Sequence, residues 1–95
     1  MQKVLITGAA GFIGFHTIKK FLSNNYIIYG VDNLNNYYSQ KLKKDRIEFL
    51  KKFSKKNKKK FFFFKKDITE ISFLEKLFVK HKFKYVIHLA AQAGV

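Results

Sequence analysis

Short apolar runs and longer amphipathic segments alternate along the chain. Residues 4–6, 26–31, 61–64 and 85–89 are rich in β-branched and aromatic side chains. Their unbroken apolar character is typical of strands that are buried on both faces of a parallel sheet. We therefore predict four buried strands at these positions.

Three segments between these strands carry apolar residues at helical spacing. The first helix is predicted to follow Gly14, and the second to cover residues 39–53. Ser72 and Glu75 match a capping box at the start of the third, with Thr69 as an alternative cap. The predicted buried stripes are Phe15, Ile18, Phe21 and Leu22; Leu42, Phe49, Leu50 and Phe53; and Phe73, Leu74, Leu77 and Phe78. This β-α-β-α-β-α-β order predicts an α/β fold, a doubly wound parallel sheet with helices on both faces.

Three glycines, Gly8, Gly11 and Gly14, follow the first strand at intervals of three. The first permits a tight turn, the second lets the backbone approach a pyrophosphate, and the third lets the helix pack closely on the sheet. The free N–H groups of the helix N-terminus favour such an anion. The alternative is a tight strand-to-helix turn with no ligand.

An acidic residue, Asp32, lies at the predicted end of the second strand, eighteen residues beyond Gly14. A carboxylate at this position can accept hydrogen bonds from both hydroxyls of an adenosine ribose. It would also repel a 2′-phosphate, so the sequence favours NAD over NADP. The alternative is a loop aspartate with no ligand.

The third and fourth predicted strands also end in residues that suit a ligand. Asp67 and Ile68 follow the third strand, where the acid could meet an adenine amino group. Leu89, Ala90 and Ala91 follow the fourth, where small side chains leave room for a cofactor. Because open α/β sheets bind ligands outside the carboxyl ends of their strands, four such ends predict one binding edge. For Asp67, a purely structural role at the start of the next helix remains open.

The charge is strongly positive, with 20 basic and 6 acidic residues and a net of +14. Such a balance is typical of proteins that bind nucleic acid. However, thirteen of the basic residues lie between Ser39 and Lys66. A dense lysine run of this kind indicates a solvated helix face and loop. A basic nucleic-acid-binding module stays an alternative, disfavoured because the aromatic residues occupy positions that we expect to face the core.

Other features narrow the class of protein. The chain has no cysteine, and its three histidines lack metal-ligand spacing. His88 lies inside an apolar run, which predicts a packing role. No run approaches the ~18 apolar residues of a membrane helix, and the start does not match a signal peptide. We therefore expect a cytoplasmic protein with no metal site.

Three segments resemble one known family. Residues 7–14 (Thr-Gly-Ala-Ala-Gly-Phe-Ile-Gly) are similar to the cofactor signature of extended short-chain dehydrogenases/reductases, the NAD-dependent epimerase and dehydratase group. Residues 32–38 (Asp-Asn-Leu-Asn-Asn-Tyr-Tyr) and 88–95 (His-Leu-Ala-Ala-Gln-Ala-Gly-Val) most resemble UDP-glucuronate 4-epimerases. The resemblance implies a Rossmann-type domain and tightly bound NAD. It also implies a nucleotide-sugar substrate and, for a full-length enzyme, a homodimer.

In such epimerases the sugar C4 hydroxyl is oxidised to a ketone, and hydride returns to the opposite face after the sugar rotates. A nucleotide-sugar 4,6-dehydratase or another sugar epimerase is the alternative enzyme. The contacts implied by the resemblance are Gly8, Gly11, Phe12 and Ile13 for the pyrophosphate, with Gly14 completing the loop; Asp32 and Asn33 for the ribose; Asp67 and Ile68 for adenine; and Leu89, Ala90 and Ala91 for the nicotinamide half.

The family's catalytic Tyr-x-x-x-Lys pair has no equivalent at a suitable place. Tyr37 precedes Lys41 with this spacing, but both follow the second strand, so we interpret the match as chance. We expect residues 1–95 to be the N-terminal part of an NAD-binding domain, without the remaining cofactor domain, substrate domain or activity of its own. An incomplete sheet would expose a strand edge, which predicts self-association or poor solubility.

Overall fold

A computed structural model describes residues 1–35 and 39–90 and confirms the predicted order of strands and helices. The elements are β1 (Lys3–Thr7), α1 (Phe12–Ser23), β2 (Ile27–Asp32), α2 (Gln40–Lys56), β3 (Phe61–Lys65), α3 (Ile71–Lys80) and β4 (Phe83–His88). Each strand end lies within two residues of its predicted position. The predicted loop residues 36–38 and the turn 91–95 lie outside the described residues.

The four strands form one parallel sheet in the order β3-β2-β1-β4. From β1 the chain first builds outward through β2 and β3. The connection through α3 then carries it back across to place β4 on the other side of β1. Strand order therefore reverses beside β1, and the carboxyl ends there form the crevice in which α/β sheets of this type bind ligands.

Helices cover both faces of the sheet, as predicted. Leu5 of β1 points toward α3, whereas its neighbours Val4 and Ile6 point toward α1 and α2. The core on the α1 and α2 side contains Val4, Ile6, Ala9, Ala10, Ile18, Leu22, Ile28, Leu34, Ile47 and Leu50. The smaller core on the α3 side contains Leu5, Tyr29, Val31 and Leu77. The central strand β1 is therefore buried on both faces, which explains its continuous apolar sequence.

The α2 helix is turned differently from the prediction. Its buried stripe consists of Lys43, Ile47, Leu50 and Ser54. Leu42 and Phe49, which we had placed in this stripe, are 48% and 47% exposed. The prediction was wrong because it assigned the stripe by hydrophobicity alone, whereas the helix directs a lysine and a serine inward.

The capping box predicted at Ser72 is also wrong. Ser72 lies inside α3, which begins at Ile71. The reciprocal bonds form earlier: Thr69 N–H donates to Asp67 Oδ1 (2.9 Å), and Asp67 N–H donates to Glu70 Oε2 (2.7 Å). These bonds close a turn over residues 67–70, and among the described residues no side chain caps α3, whose N-cap is Glu70, so neither Ser72 nor the alternative Thr69 is its cap. The turn places Asp67 just before α3 with its backbone and side chain both fixed.

Strand β3 confirms most of the expected aromatic burial. Phe61 and Phe63 pack against the core on the α1 and α2 side, and Phe64 packs against the core on the α3 side. Phe62 is an exception because it is 44% exposed, although its ring stacks on Tyr29 at 5.1 Å.

Strand β4 leaves one edge of the described sheet open, since it pairs with β1 alone. Its side chains Tyr85 and Val86 are 44% and 50% exposed, and Val79 on α3 is 88% exposed. An exposed apolar edge is a template for pairing with another chain. None of the described helices combines the length and apolar character needed to cross a membrane.

We expect the 95-residue chain to self-associate through this edge. Val86→Lys should reduce association because a charge on an edge strand opposes pairing with another strand. Sedimentation velocity over a range of concentrations measures this effect. Ser72→Lys adds the same charge on an exposed position of α3 and serves as the control. A monomeric wild-type chain, or equal effects of the two variants, would contradict the expectation.

Candidate functional site

The loop after β1 is folded tightly against two neighbouring strands. Gly8 has a φ of 73°, and the Gly8 and Ala9 amides both donate to the Val31 carbonyl oxygen (2.9 and 3.2 Å). A Cβ on Gly8 would lie 2.7 Å from the Leu89 carbonyl carbon. Both the positive φ and this contact require glycine, so the loop and the β4 exit are held side by side.

The other two loop glycines differ in what surrounds them. A Cβ on Gly14 would lie 2.1 Å from the Gly8 carbonyl oxygen, so the start of α1 packs directly on the loop backbone. A Cβ on Gly11 would approach one atom within 4 Å, the Gly8 oxygen at 3.3 Å. Gly11 also has an ordinary φ of −72°. Backbone conformation does not demand glycine there, and the Gly8 oxygen would have to move by only a few tenths of an ångström to admit a Cβ. Close approach of a ligand would be the stronger reason for glycine at this position.

The α1 N-terminus faces this open side of the loop. Gly11 is its N-cap, and among the described residues no side chain caps the helix. The amides of the first turn have no intrahelical acceptors, so they can bind an anion. Phe12 and Ile13, at the predicted positions, have side chains that are 66% and 64% exposed. The arrangement fits a pyrophosphate group.

Asp32 is the last residue of β2 and is 9% exposed. Its Oδ2 accepts a hydrogen bond from the Ala10 amide (3.0 Å), and its Oδ1 accepts one from the Leu34 amide (2.7 Å). A carboxylate has about four acceptor positions, so the two oxygens can still accept ribose hydroxyls. Asp32 therefore lies where predicted and also fixes the glycine loop.

The ends of β2 and β3 are joined by a side-chain hydrogen bond. Asn33 Nδ2 donates to Asp67 Oδ2 at 3.2 Å. Hydrogen bonds from the Thr69 amide, from its hydroxyl and from Asn33 lower the pKa of the Asp67 carboxyl. Asp67 is therefore an ionised acceptor that faces the same edge as Asp32, and the half-buried Ile68 follows it directly.

The β4 exit is organised by Thr7, the last residue of β1. Its Oγ1 accepts hydrogen bonds from the Leu89 and Ala90 amides (3.1 and 3.2 Å) and lies 2.7 Å from His88 Nδ1. The Leu89 amide also donates to the Thr7 carbonyl oxygen at 3.1 Å, so both the backbone and the side chain of Thr7 hold the β4 exit. The packing role predicted for His88 is wrong, because its side chain is exposed and hydrogen-bonded. Of the predicted residues at this end, Ala91 lies outside the described residues.

Two cations on α2 were missed by sequence reasoning. Lys43 is 7% exposed and donates from Nζ to Asn35 Oδ1 at 2.7 Å. Arg46 donates from Nη1 to the Ala10 carbonyl oxygen at 3.0 Å. Only Lys43 carried a signal in the sequence: it stands one helical turn before Ile47 on the buried stripe, where lysine is rarely found.

A family profile described as GDP-mannose 4,6 dehydratase matches residues 5–95. The chain belongs to this family. It is of the NAD-dependent epimerase/dehydratase type, which confirms the resemblance to extended short-chain dehydrogenases/reductases. The four-stranded parallel sheet agrees with the Rossmann domains of this family.

Similar proteins in this family include sugar-nucleotide epimerases. Protein CapI of Staphylococcus aureus is 46% identical over 99% of the chain and 26% of its own length. The UDP-glucuronate 4-epimerase of Thermodesulfobacterium geofontis is 42% identical over the whole chain and 28% of its own length. The crystal structure of UDP-glucuronic acid 4-epimerase from Bacillus cereus in complex with NAD has a TM-score of 0.75 and 33% identity, over 99% of this chain and 28% of that one. The chain thus spans about a quarter of the length of its relatives.

Alanine substitutions at two loop glycines should separate folding from ligand binding. Gly14→Ala should destabilise the chain by about 3 kcal/mol or more, since neither backbone can move aside. Gly11→Ala should destabilise the chain much less than Gly14→Ala, because the Gly8 oxygen would have to move by only a few tenths of an ångström. We expect Gly11→Ala to weaken NAD⁺ binding by about tenfold or more, through steric exclusion of the pyrophosphate. Urea unfolding and calorimetric titration measure the two effects, and unchanged NAD⁺ affinity in Gly11→Ala would contradict this role for Gly11.

The lowered pKa of Asp67 makes stability depend on pH. A carboxyl with a lower pKa in the folded chain stabilises it above the ordinary value of about 4. That stabilisation disappears as the pH falls through the folded-state pKa. Urea midpoints between pH 7 and pH 3 should therefore fall less steeply in Asp67→Asn than in the wild type. Glu75→Gln removes the same charge from an exposed face of α3 and is the control, and an equal change of slope in both variants would contradict this role of Asp67.

Proposed function

We propose that this chain is the NAD-binding, N-terminal portion of a nucleotide-sugar epimerase, with UDP-glucuronate 4-epimerase as the specific assignment. The supporting observation is the order of the candidate groups along one edge of the sheet. Asp67 follows β3, Asp32 ends β2, the glycine loop follows β1, and Leu89 follows β4. Adenine, ribose, pyrophosphate and nicotinamide have this same order in the dinucleotide.

Each proposed contact uses a group that the fold leaves available. The amides beginning at Phe12 and Ile13 would bind the pyrophosphate, which Gly11 admits, while Gly8 and Gly14 hold the loop. The Asp32 carboxylate would accept hydrogen bonds from the ribose hydroxyls, and Asn33 would donate one to the ribose. The strands are about 4.8 Å apart, so the edge from β3 to β4 extends about 14 Å. That length suits an extended dinucleotide better than a mononucleotide.

The other two contacts lie at the ends of this edge. Asp67, held by Thr69 and Asn33, would accept a hydrogen bond from the adenine amino group, and Ile68 would lie against the ring. Leu89 and Ala90, with Ala91 beyond the described residues, would line the nicotinamide half. Their amides are already bonded to Thr7, so this part of the edge is rigid before a ligand arrives.

The carboxylate of Asp32 supports NAD rather than NADP. It is nearly buried and bonded to two amides, so it cannot turn away from a 2′-phosphate. Two like charges in contact repel each other strongly in a partly buried site. The NAD complex of the Bacillus cereus epimerase, whose fold this chain shares, supports the same cofactor.

When bound, NAD⁺ would supply reversible acceptance of a hydride from the sugar C4 position. The residues of this chain would bind and orient it. The described tyrosines, Tyr26, Tyr29 and Tyr85, lie before or within strands and not at the carboxyl edge. The proton-transferring Tyr-x-x-x-Lys pair of the family would have to come from outside residues 1–95, together with the sugar-binding domain and any dimer contacts.

NAD⁺ and NADP⁺ titrations of the 95-residue chain test the cofactor assignment. We expect NAD⁺ to bind about tenfold or more tightly than NADP⁺. Asp32→Asn should narrow this ratio, because it removes the charge and keeps a similar shape. The ratio of the two affinities is informative because any loss of loop order would weaken the binding of NAD⁺ and NADP⁺ alike. Equal wild-type affinities, or binding of neither, would contradict the proposal.

The substrate assignment is tested on a longer protein in which residues 1–95 are followed by the remaining domains of a family enzyme, including the Tyr-x-x-x-Lys pair. NMR of the products from UDP-glucuronate and UDP-glucose distinguishes a 4-epimer from the 4-keto-6-deoxy sugar of a 4,6-dehydratase. UDP-galacturonate from UDP-glucuronate would support the specific assignment. A dehydrated product would favour the dehydratase alternative.

A further inference from the structure

Ala10, in the middle of the glycine loop, is held from two sides by oppositely charged side chains. Its amide donates to Asp32 Oδ2 at 3.0 Å, and its carbonyl oxygen accepts from Arg46 Nη1 at 3.0 Å. The residue itself is fully buried. The two bonds restrain the orientation of the peptide planes before and after Ala10.

Arg46 reaches the loop from the α2 helix. It is half-buried, and its neighbour Ile47 packs in the same core as Ala10. The α2 backbone is therefore anchored next to the point from which the guanidinium extends. Among the described residues, the guanidinium makes this one hydrogen bond, which leaves its other N–H groups and its charge beside the loop.

The peptide plane that Arg46 fixes leads directly into Gly11, the N-cap of α1. Its orientation sets the direction of the first amides of α1, which have no intrahelical acceptors. A shift of the Ala10 carbonyl would turn these amides away from an anion bound at the loop. The guanidinium adds a fixed positive charge near the same anion.

We propose that Arg46 is a positioning residue for the cofactor's pyrophosphate, acting through the Ala10 carbonyl. This inference rests on the proposed NAD binding. Arg46 and Asp32 act as a pair: the Asp32 carboxylate accepts from the Ala10 amide, and the Arg46 guanidinium donates to the Ala10 carbonyl oxygen. Arg46 determines how well the loop amides converge on the two phosphates, and it leaves recognition of adenine and ribose to the other strands.

The experiment compares Arg46→Met, Arg46→Lys and the control Lys44→Met in the 95-residue chain. Lys44 is exposed on the same helix, so Lys44→Met removes an equal charge without touching the loop. Titrations with NAD⁺, ADP-ribose and adenosine are followed by two-dimensional amide NMR. The first two ligands contain the pyrophosphate and adenosine does not.

Arg46→Met should weaken NAD⁺ and ADP-ribose by about tenfold or more and adenosine by less than about twofold. Arg46→Lys, which keeps a charged donor, should recover most of the loss, and Lys44→Met should behave as the wild type. Without ligand, the Gly11 amide resonance should move in Arg46→Met and stay in place in Lys44→Met.

Three results would overturn the inference. Unchanged NAD⁺ affinity in Arg46→Met would contradict the positioning role of Arg46 without contradicting the proposed NAD binding. Equal losses for adenosine and NAD⁺, accompanied by a lower Tm, would assign Arg46 a structural role. Failure of the wild-type chain to bind NAD⁺ would overturn both the proposed function and this inference.

Discussion

The contact between Gly14 and the Gly8 carbonyl is the constraint on which the rest of the sheet's carboxyl edge depends. A Cβ on Gly14 would lie 2.1 Å from the Gly8 carbonyl oxygen, so α1 can pack this closely on the loop only because residue 14 has no side chain. This contact places the α1 N-terminus directly above the end of β1. The central strand thus fixes the helix amides, and the neighbouring strand ends lie at set distances on either side.

Asp32 shows how one side chain connects folding with binding. A nearly buried carboxylate is costly unless hydrogen bonds compensate for its lost hydration, and the Ala10 and Leu34 amides provide them. These bonds hold the loop after β1 to the end of β2. The carboxylate is then a hydrogen-bond acceptor whose orientation is fixed before a ligand binds. The same fixed carboxylate therefore holds the loop in place and accounts for the proposed selectivity for NAD.

The sequence predicted the parts of the site that local backbone geometry determines. Glycines at positive φ or at a close contact, and an acid at a strand end, leave a signal in residue spacing. Arg46 left none, because its bond to Ala10 spans 36 residues and depends on the rotation of α2 about its own axis. The Thr7 and His88 contact joins residues near opposite ends of the chain, and hydrophobic periodicity carries no information about such a pair.

The positive charge of the chain consists of two kinds of residue that composition cannot separate. Most lysines between α2 and β3 are exposed and solvated, as the run of like charges predicted. Lys43 and Arg46 differ because the helix turns them toward two loops. Lys43 bonds to Asn35 in the loop after β2, and Arg46 bonds to Ala10 in the loop after β1. Both lie within one turn of each other near the start of α2. The two cations that hold these loops are therefore identified by their place on the inner side of one helix, and the net charge of +14 gives no indication of them.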